Sequence, residues 1–100
     1  MIEEALGAPL RIRILLALWE HGEINATELA HILGTNYAQL ATHLKDLINY
    51  GLVEERRVGR VRLVKVRKDD VVISLIKALI VANEKIKQNQ KILNKTNSKS

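Results

Sequence analysis

The chain has 100 residues, 47% apolar and 27% charged, which suits one globular domain with a modest core. It contains no cysteine, so disulfides, thiolate metal ligands and a cysteine nucleophile are excluded. The net charge of +5 is unevenly distributed: three basic and eight acidic residues lie in positions 1–55, whereas thirteen basic and three acidic residues lie in positions 56–100. This asymmetry predicts that the second half contacts a polyanionic partner.

No segment predicts export or membrane insertion. The opening MIEEALG lacks the basic region and apolar run of a signal peptide. The most apolar window, residues 71–82, is shorter than the roughly 20 residues that span a bilayer, and it contains Lys77. We therefore expect a soluble, cytoplasmic protein with no membrane partner.

The first half predicts two helices before residue 36. Pro9 suits the first position of a helix that ends at His21-Gly22, and Trp19 is expected in the core or an interface. Asn25 predicts the cap of a second helix that closes at Gly34. A minimal strand at Glu23-Ile24 separates the two.

Residues 36–50 predict an amphipathic helix with two unlike faces. Leu40, Leu44, Leu47 and Ile48 form one apolar stripe, and the other side is small or polar, including Asp46 and Asn49. Two short helices joined by a tight turn are typical of a helix-turn-helix, whose second helix reads DNA in the major groove. The alternative is an ordinary solvated surface. The predicted DNA-contacting residues of this recognition helix are Asn36, Tyr37, Ala38, Gln39, Thr42, His43 and Lys45, with Gln39 and Thr42 favoured for bases.

After Gly51 the pattern becomes extended. Two strands are predicted around Val58-Gly59, with a register that the alternation does not fix. Seven cations and no acid lie in residues 56–68, which favours contact with phosphate or the minor groove over simple protection of a sheet edge. The predicted DNA-contacting residues of this wing are Arg56, Arg57, Arg60, Arg62 and Lys65.

Asp69-Asp70 predicts the start of a final helix that runs to about Leu93. Its heptad pattern indicates pairing with a second copy of the chain, whereas a helix that leaves the body near Asn83 and frays is the alternative. The predicted homodimer interface is Val72, Ile76, Leu79, Asn83 and Ile86. Residues 94–100 are expected to be a disordered polar tail.

The order and spacing of four segments resemble a known family. These segments are LGAPLRIRIL at 6–15, TELA with LG at 27–34, HLKDL at 43–47, and GLVE with Arg57 and Gly59-Arg60 at 51–60. Together they resemble the winged helix-turn-helix transcriptional repressors of the ArsR type and their archaeal relatives. The resemblance implies a mainly α protein with a small β-hairpin (α+β), divided into a DNA-binding domain at 1–68, a C-terminal dimerisation helix at 69–93 and the tail at 94–100.

The resemblance further implies a symmetric dimer with recognition helices in major grooves about 34 Å apart. Metal-sensing members carry cysteines in the helix that corresponds to residues 28–33, and this chain has none there. A metal site built from His21, His31 and His43 is not expected, because they are not spaced as ligands on one helix.

The leading hypothesis is a dimeric, sequence-specific regulator bound to double-stranded DNA. One alternative is an architectural protein that coats DNA with little sequence choice, and another is a winged helix used to bind a protein partner. An enzyme is not expected, since no catalytic set of residues is present. No residue predicts a cofactor, and none indicates a pocket for an effector.

Overall fold

The fold is a winged helix-turn-helix with a long C-terminal helix, as predicted. A computed structural model describes the backbone of residues 1–98 and the side-chain surroundings of residues 1–94. Its elements in chain order are α1 Ile2–Ala5, α2 Pro9–His21, β1 Ile24–Asn25, α3 Ala26–Leu33, α4 Tyr37–Asn49, β2 Val53–Val58, β3 Val61–Val66 and α5 Asp70–Ser98. The three strands form one antiparallel sheet in the order β1-β3-β2.

One core joins the helices to the sheet. Its fully buried side chains come from α2, α3, α4, β3 and α5: Ile14, Leu15, Leu18, Leu29, Leu40, Leu44, Leu47, Val64 and Ile76. The predicted inward stripe of α4 is thus confirmed, with Ile48 packed at its margin. Trp19 does not belong to this core, because 39% of the residue remains exposed at the end of α2, and its alternative place in an interface stays a prediction.

Two asparagines fix the turn-rich segment that aims α4. Asn25 Oδ1 accepts from the backbone N–H of Thr27 at 2.8 Å, and Asn36 Oδ1 accepts from that of Gln39 at 2.7 Å. Between these caps, Gly34 has a φ of 67°, a conformation that costs a residue with a Cβ more than it costs glycine. The local sequence therefore sets the angle at which α4 leaves α3.

The hairpin register places one face of the wing on the core. Val53 is opposite Val66, and Val58 is opposite Val61 beside the turn. Because side chains alternate between faces, Val64 and Val66 point inward together while Leu63 lies on the other face. This pairing settles the register that the sequence left open.

The last helix is longer than predicted. It begins beside Asp69, whose carboxylate accepts from the N–H of Val71 at 2.8 Å, and it continues to Ser98. The helix therefore continues past the end predicted near Leu93 and into the segment predicted as a disordered tail, since neither glycine nor proline interrupts it. Residues 99–100 of that tail lie outside the described residues. The 29 residues of α5 extend over about 44 Å. The distal part of this helix projects from the domain and makes the molecule elongated, with overall dimensions of 58 × 28 × 22 Å.

The predicted dimer interface is wrong for its first two residues. Val72 and Ile76 are only 6% and 0% exposed because they complete the core of their own protomer. A second stripe, rotated around α5, stays uncovered or half-covered. We call it the outer seam; it consists of Leu75, Leu79, Ala82, Ile86 and Leu93. None of the helices among residues 1–98 is long and apolar enough to cross a membrane.

Candidate nucleic-acid interface

The outer side of α4 presents small and polar side chains. Ala38, Thr42, Lys45 and Asn49 are all exposed, opposite the buried leucines. Lys45 forms no ion pair within the described residues, so its ammonium is available to an anionic partner. The polar side therefore has a shape and composition suited to base edges and phosphates.

Gln39 is oriented before any partner arrives. Its side-chain carbonyl Oε1 accepts from Thr35 Oγ1 at 2.9 Å, while its backbone N–H is bound by Asn36. The two N–H donors of its amide remain available, together with a second lone pair on Oε1. An adenine presents a matching acceptor and donor in the major groove. Asn36 retains its amide donors, although its carbonyl is committed to the helix cap.

Thr42 uses its hydroxyl proton within its own helix. Thr42 Oγ1 donates to the carbonyl of Ala38 at 3.1 Å. This bond leaves the methyl group and the oxygen lone pairs on the exposed side. Contact with a thymine methyl or acceptance of a donor therefore suits Thr42 better than donation to a base.

Arg11 on α2 holds three segments together, and the predicted site did not include it. Its Nε donates to His43 Nδ1 at 3.0 Å, its Nη1 donates to the carbonyl of Glu4 at 3.0 Å, and its Nη2 binds the Asp46 carboxylate. His43 thus contacts α2 through Nδ1, while its Nε2 is not used in this bond, so its contact with DNA stays a prediction. Asp46, expected on the outer side, is likewise drawn to Arg11 and neutralised.

The signal for Arg11 was present in the sequence. A cation in a nearly continuous apolar helix needs a partner, because a buried unpaired charge is very costly. Only 13% of the Arg11 side chain is exposed. The sequence does not identify the residues that bind Arg11, because they are more than thirty positions away and their proximity depends on how α2 and α4 cross.

Ion pairs in the folded protein neutralise part of the positive charge of the wing. Folding brings three carboxylates onto three of its five predicted contact residues. Arg56 binds Glu23 through two hydrogen bonds of 2.9 and 2.7 Å. Arg62 binds Glu55, and Lys65 Nζ lies 3.9 Å from Glu54. The hydrogen bond from Arg56 lowers the pKa of the Glu23 carboxyl below its ordinary value.

Arg62 joins the wing to the recognition helix. Its side chain is 13% exposed and is hydrogen-bonded by Tyr37 as well as Glu55. Burial by itself would lower the pKa of Arg62, but the hydrogen bonds to Tyr37 and Glu55 outweigh it and raise the pKa. Arg62 therefore remains charged and occupied. Tyr37, at the start of α4, lies on the side of the helix that faces the wing.

Two of the predicted wing arginines keep their charge free. Arg57 and Arg60 are exposed, and neither forms an ion pair among the side chains of residues 1–94. Arg57 is the cross-strand partner of Arg62, so it lies on the sheet face that is turned toward α4. Arg60 follows Gly59 in the hairpin turn. Among the five predicted contact residues, the free positive charge is thus concentrated toward the tip of the wing.

A family model matches residues 8–73, from the start of α2 into α5. The chain belongs to the HVO_A0114 family. No curated protein matches the sequence. Among solved structures, the antimony-specific transcriptional repressor AntR has a TM-score of 0.74 at 22% identity, over 85% of this chain and 76% of that one. At that identity the similarity concerns the fold.

Two further structures are more similar in sequence to this HVO_A0114 family member. The Mb0332 domain of Mycobacterium bovis, a homodimeric winged helix-turn-helix and possible ArsR-family regulator, has a TM-score of 0.72 at 28% identity over 83% of this chain and 75% of that one. HlyU of Vibrio cholerae has a TM-score of 0.71 at 26% identity over 78% of this chain and 83% of that one. The resemblance to ArsR-type winged-helix regulators is confirmed.

Proposed function

We propose that the protein is a homodimeric, sequence-specific DNA-binding transcriptional regulator. The observation that carries the proposal is the joint placement of a polar, exposed side of α4 and two unpaired arginines on the adjoining wing. HlyU of Vibrio vulnificus, a similar solved structure, is a transcriptional regulator, and Mb0332 is a possible one, which supports the same class of function for this chain.

In this proposal α4 enters the major groove, which is about 12 Å wide and accepts a helix. Gln39 pairs with an adenine, Thr42 contacts a thymine methyl or a donor, and Lys45 reaches a phosphate. Ala38 allows close approach of the helix to the base edges. Asn36 and Tyr37, at the helix start, lie close enough to the outer side to contact the sugar-phosphate backbone.

The wing supplies most of the electrostatic attraction. Arg57 and Arg60 bind flanking phosphates or enter the minor groove, because their guanidinium groups do not first have to break an ion pair with a carboxylate. Arg56, Arg62 and Lys65 contribute less, because contact with DNA would compete with an existing ion pair. Affinity should therefore depend on the wing tip more than on its base.

Dimerisation is proposed through the outer seam of α5. Ile86 and Leu93 are 55% and 61% exposed in one protomer, and the seam follows the four-three spacing of a coiled coil, with the polar Asn89 at the position between Ile86 and Leu93. Leu79 and Ile86 of the predicted interface belong to it, while Asn83 is half-buried at its edge. A two-fold axis through this seam would place two copies of α4 on successive turns of one face of DNA.

The test is selection of preferred sites from random double-stranded DNA, followed by anisotropy titration at several salt concentrations. We expect one enriched, two-fold symmetric sequence, and Gln39→Ala should change the preferred base at one position of each half-site. The matched control is Gln88→Ala, an exposed glutamine on α5. Equal affinity for all sequences would support an architectural role instead, and absence of salt-dependent binding would refute DNA binding.

A further inference from the structure

A surface cavity lies apart from the recognition helix, since no residue of α4 lines it. It has a volume of about 420 Å³ and is bounded by the end of α2, the loop that follows it, the end of β3 and the start of α5. Small-molecule sites range from about 300 to 1,000 Å³, so this cavity can hold a compact ligand of one or two rings. We propose that it binds a small aromatic acid and that the bound acid lowers the affinity of the protein for DNA.

The aromatic part of the ligand follows from the cavity walls. Leu18, Val66 and Ile73 provide apolar surface, and the half-covered indole of Trp19 lines the same space. An exposed tryptophan beside an apolar recess is suited to offset stacking with a second ring. This also gives a role to Trp19, which the protein core does not use.

The acidic part of the ligand follows from the charges at the rim. Lys65 and Lys68 line the cavity together with Glu23. The carboxylate of Glu23 is already held by two hydrogen bonds from Arg56, whereas Lys68 forms no ion pair within the described residues. Lys65 has only the longer contact of 3.9 Å to Glu54. The unsatisfied charge at the rim is therefore positive, and a carboxylate complements it.

The cavity stays accessible in the proposed dimer. Ile73 lies about 200° around α5 from Leu75, at 100° per residue, so it is on the opposite side from the outer seam. The cavity also shares β3 with the wing, through Lys65 and Val66. A bound carboxylate neutralises a cation next to the wing, which weakens attraction to phosphate. This effect on DNA rests on the proposed function, but ligand binding does not.

Trp19 allows a direct test, because the chain has one tryptophan and hence one indole N–H signal in a nitrogen-proton NMR spectrum. We expect 2-naphthoate to shift this signal saturably and to bind more tightly than the uncharged 2-naphthalenemethanol. Lys68→Gln should weaken naphthoate binding about three- to tenfold, as expected for the net contribution of one typical hydrogen bond, while binding of the alcohol stays unchanged. The matched control is Lys85→Gln, an exposed lysine on the projecting part of α5.

Three results would overturn the inference. These are an indole signal that does not respond to naphthoate, equal binding of the acid and the alcohol, and equal effects of Lys68→Gln and Lys85→Gln. Saturating naphthoate should also weaken DNA binding of the wild-type protein, and unchanged DNA affinity would refute the coupling. If the protein did not bind DNA at all, the indole titration would still report on the cavity alone.

Discussion

Replacing Arg57 and Arg60 by glutamine should reduce the salt dependence of DNA binding more than replacing any other pair of wing residues. Each phosphate contact contributes about 0.9 to the slope of log K against log salt for duplex DNA. Two arginines in each of two protomers give four contacts, so the slope should become shallower by about 3.6. Both side chains are exposed and unpaired, so folding stability should change by less than about 0.5 kcal/mol.

The assay is fluorescence anisotropy with a labelled operator at salt concentrations between about 50 and 200 mM, a range over which the affinity of such proteins for DNA changes strongly. Over that fourfold rise in salt, a slope shallower by about 3.6 means that the factor by which affinity falls is about 150 times smaller for the variant than for the wild type. Binding to unrelated DNA should weaken in parallel, because phosphate contacts carry no sequence information.

The control removes an arginine together with its acid. Arg56→Gln combined with Glu23→Gln leaves the net charge of the wing region unchanged. The slope of log K against log salt for this variant should differ from that of the wild type by no more than the loss of about one phosphate contact per protomer. Equal slopes for the two double variants would refute the distinction between free and paired arginines. A slope unchanged by Arg57→Gln and Arg60→Gln would remove the wing tip from the interface.

Three other changes test other parts of the structure. Arg11→Met should destabilise the fold by about 2 kcal/mol, since it leaves partners on two segments unbound, and should lower Tm in circular dichroism by about 8–16 °C; a loss no greater than that of Lys85→Met would contradict this. Ile86→Lys should convert dimers to monomers in sedimentation, whereas Val81→Lys, 69% exposed on another side of α5, should not; equal behaviour of both would exclude the outer seam. The Glu23 carboxyl should titrate below its ordinary pKa of 4.5 in NMR, and Arg56→Gln should bring it back up. Because the folded pKa is the lower one, the stabilisation is present above pH 4.5 and is lost as the pH falls through the folded value; an unshifted midpoint would refute the pairing.

The sequence predicted the local features of the fold well. The cap of α3 at Asn25, the inward stripe of α4 and the glycine turn between α3 and α4 depend on neighbouring residues, and these were confirmed. The family resemblance added the architecture, which the comparisons with solved structures confirm. The contacts of individual residues with DNA stay predictions.

The errors have one physical origin, which is that they depend on residues far apart in the chain. Because α5 is apolar on two sides, its sequence fits two heptad frames equally well. Only the packing of the helix on the rest of the domain shows that Ile76 faces inward. The sequence between Arg56 and Lys68 contains no acid, yet strand pairing sets Glu55 close to Arg62 and Glu54 close to Lys65. The hydrogen bond between His43 and Arg11 likewise joins residues far apart in the chain, so the sequence did not indicate it.

The paired carboxylates of the wing bear on how the protein would search a genome. A regulator meets on the order of 10⁶ to 10⁹ competing nonspecific sites for each operator, and a strongly cationic wing would hold it equally at all of them. Glu23 and Glu55 occupy Arg56 and Arg62 in the free protein, so in the proposed regulator these arginines would add little to the residence time on a wrong sequence. The intramolecular acids would thus shorten each nonspecific encounter and leave the choice of site to the fit of α4.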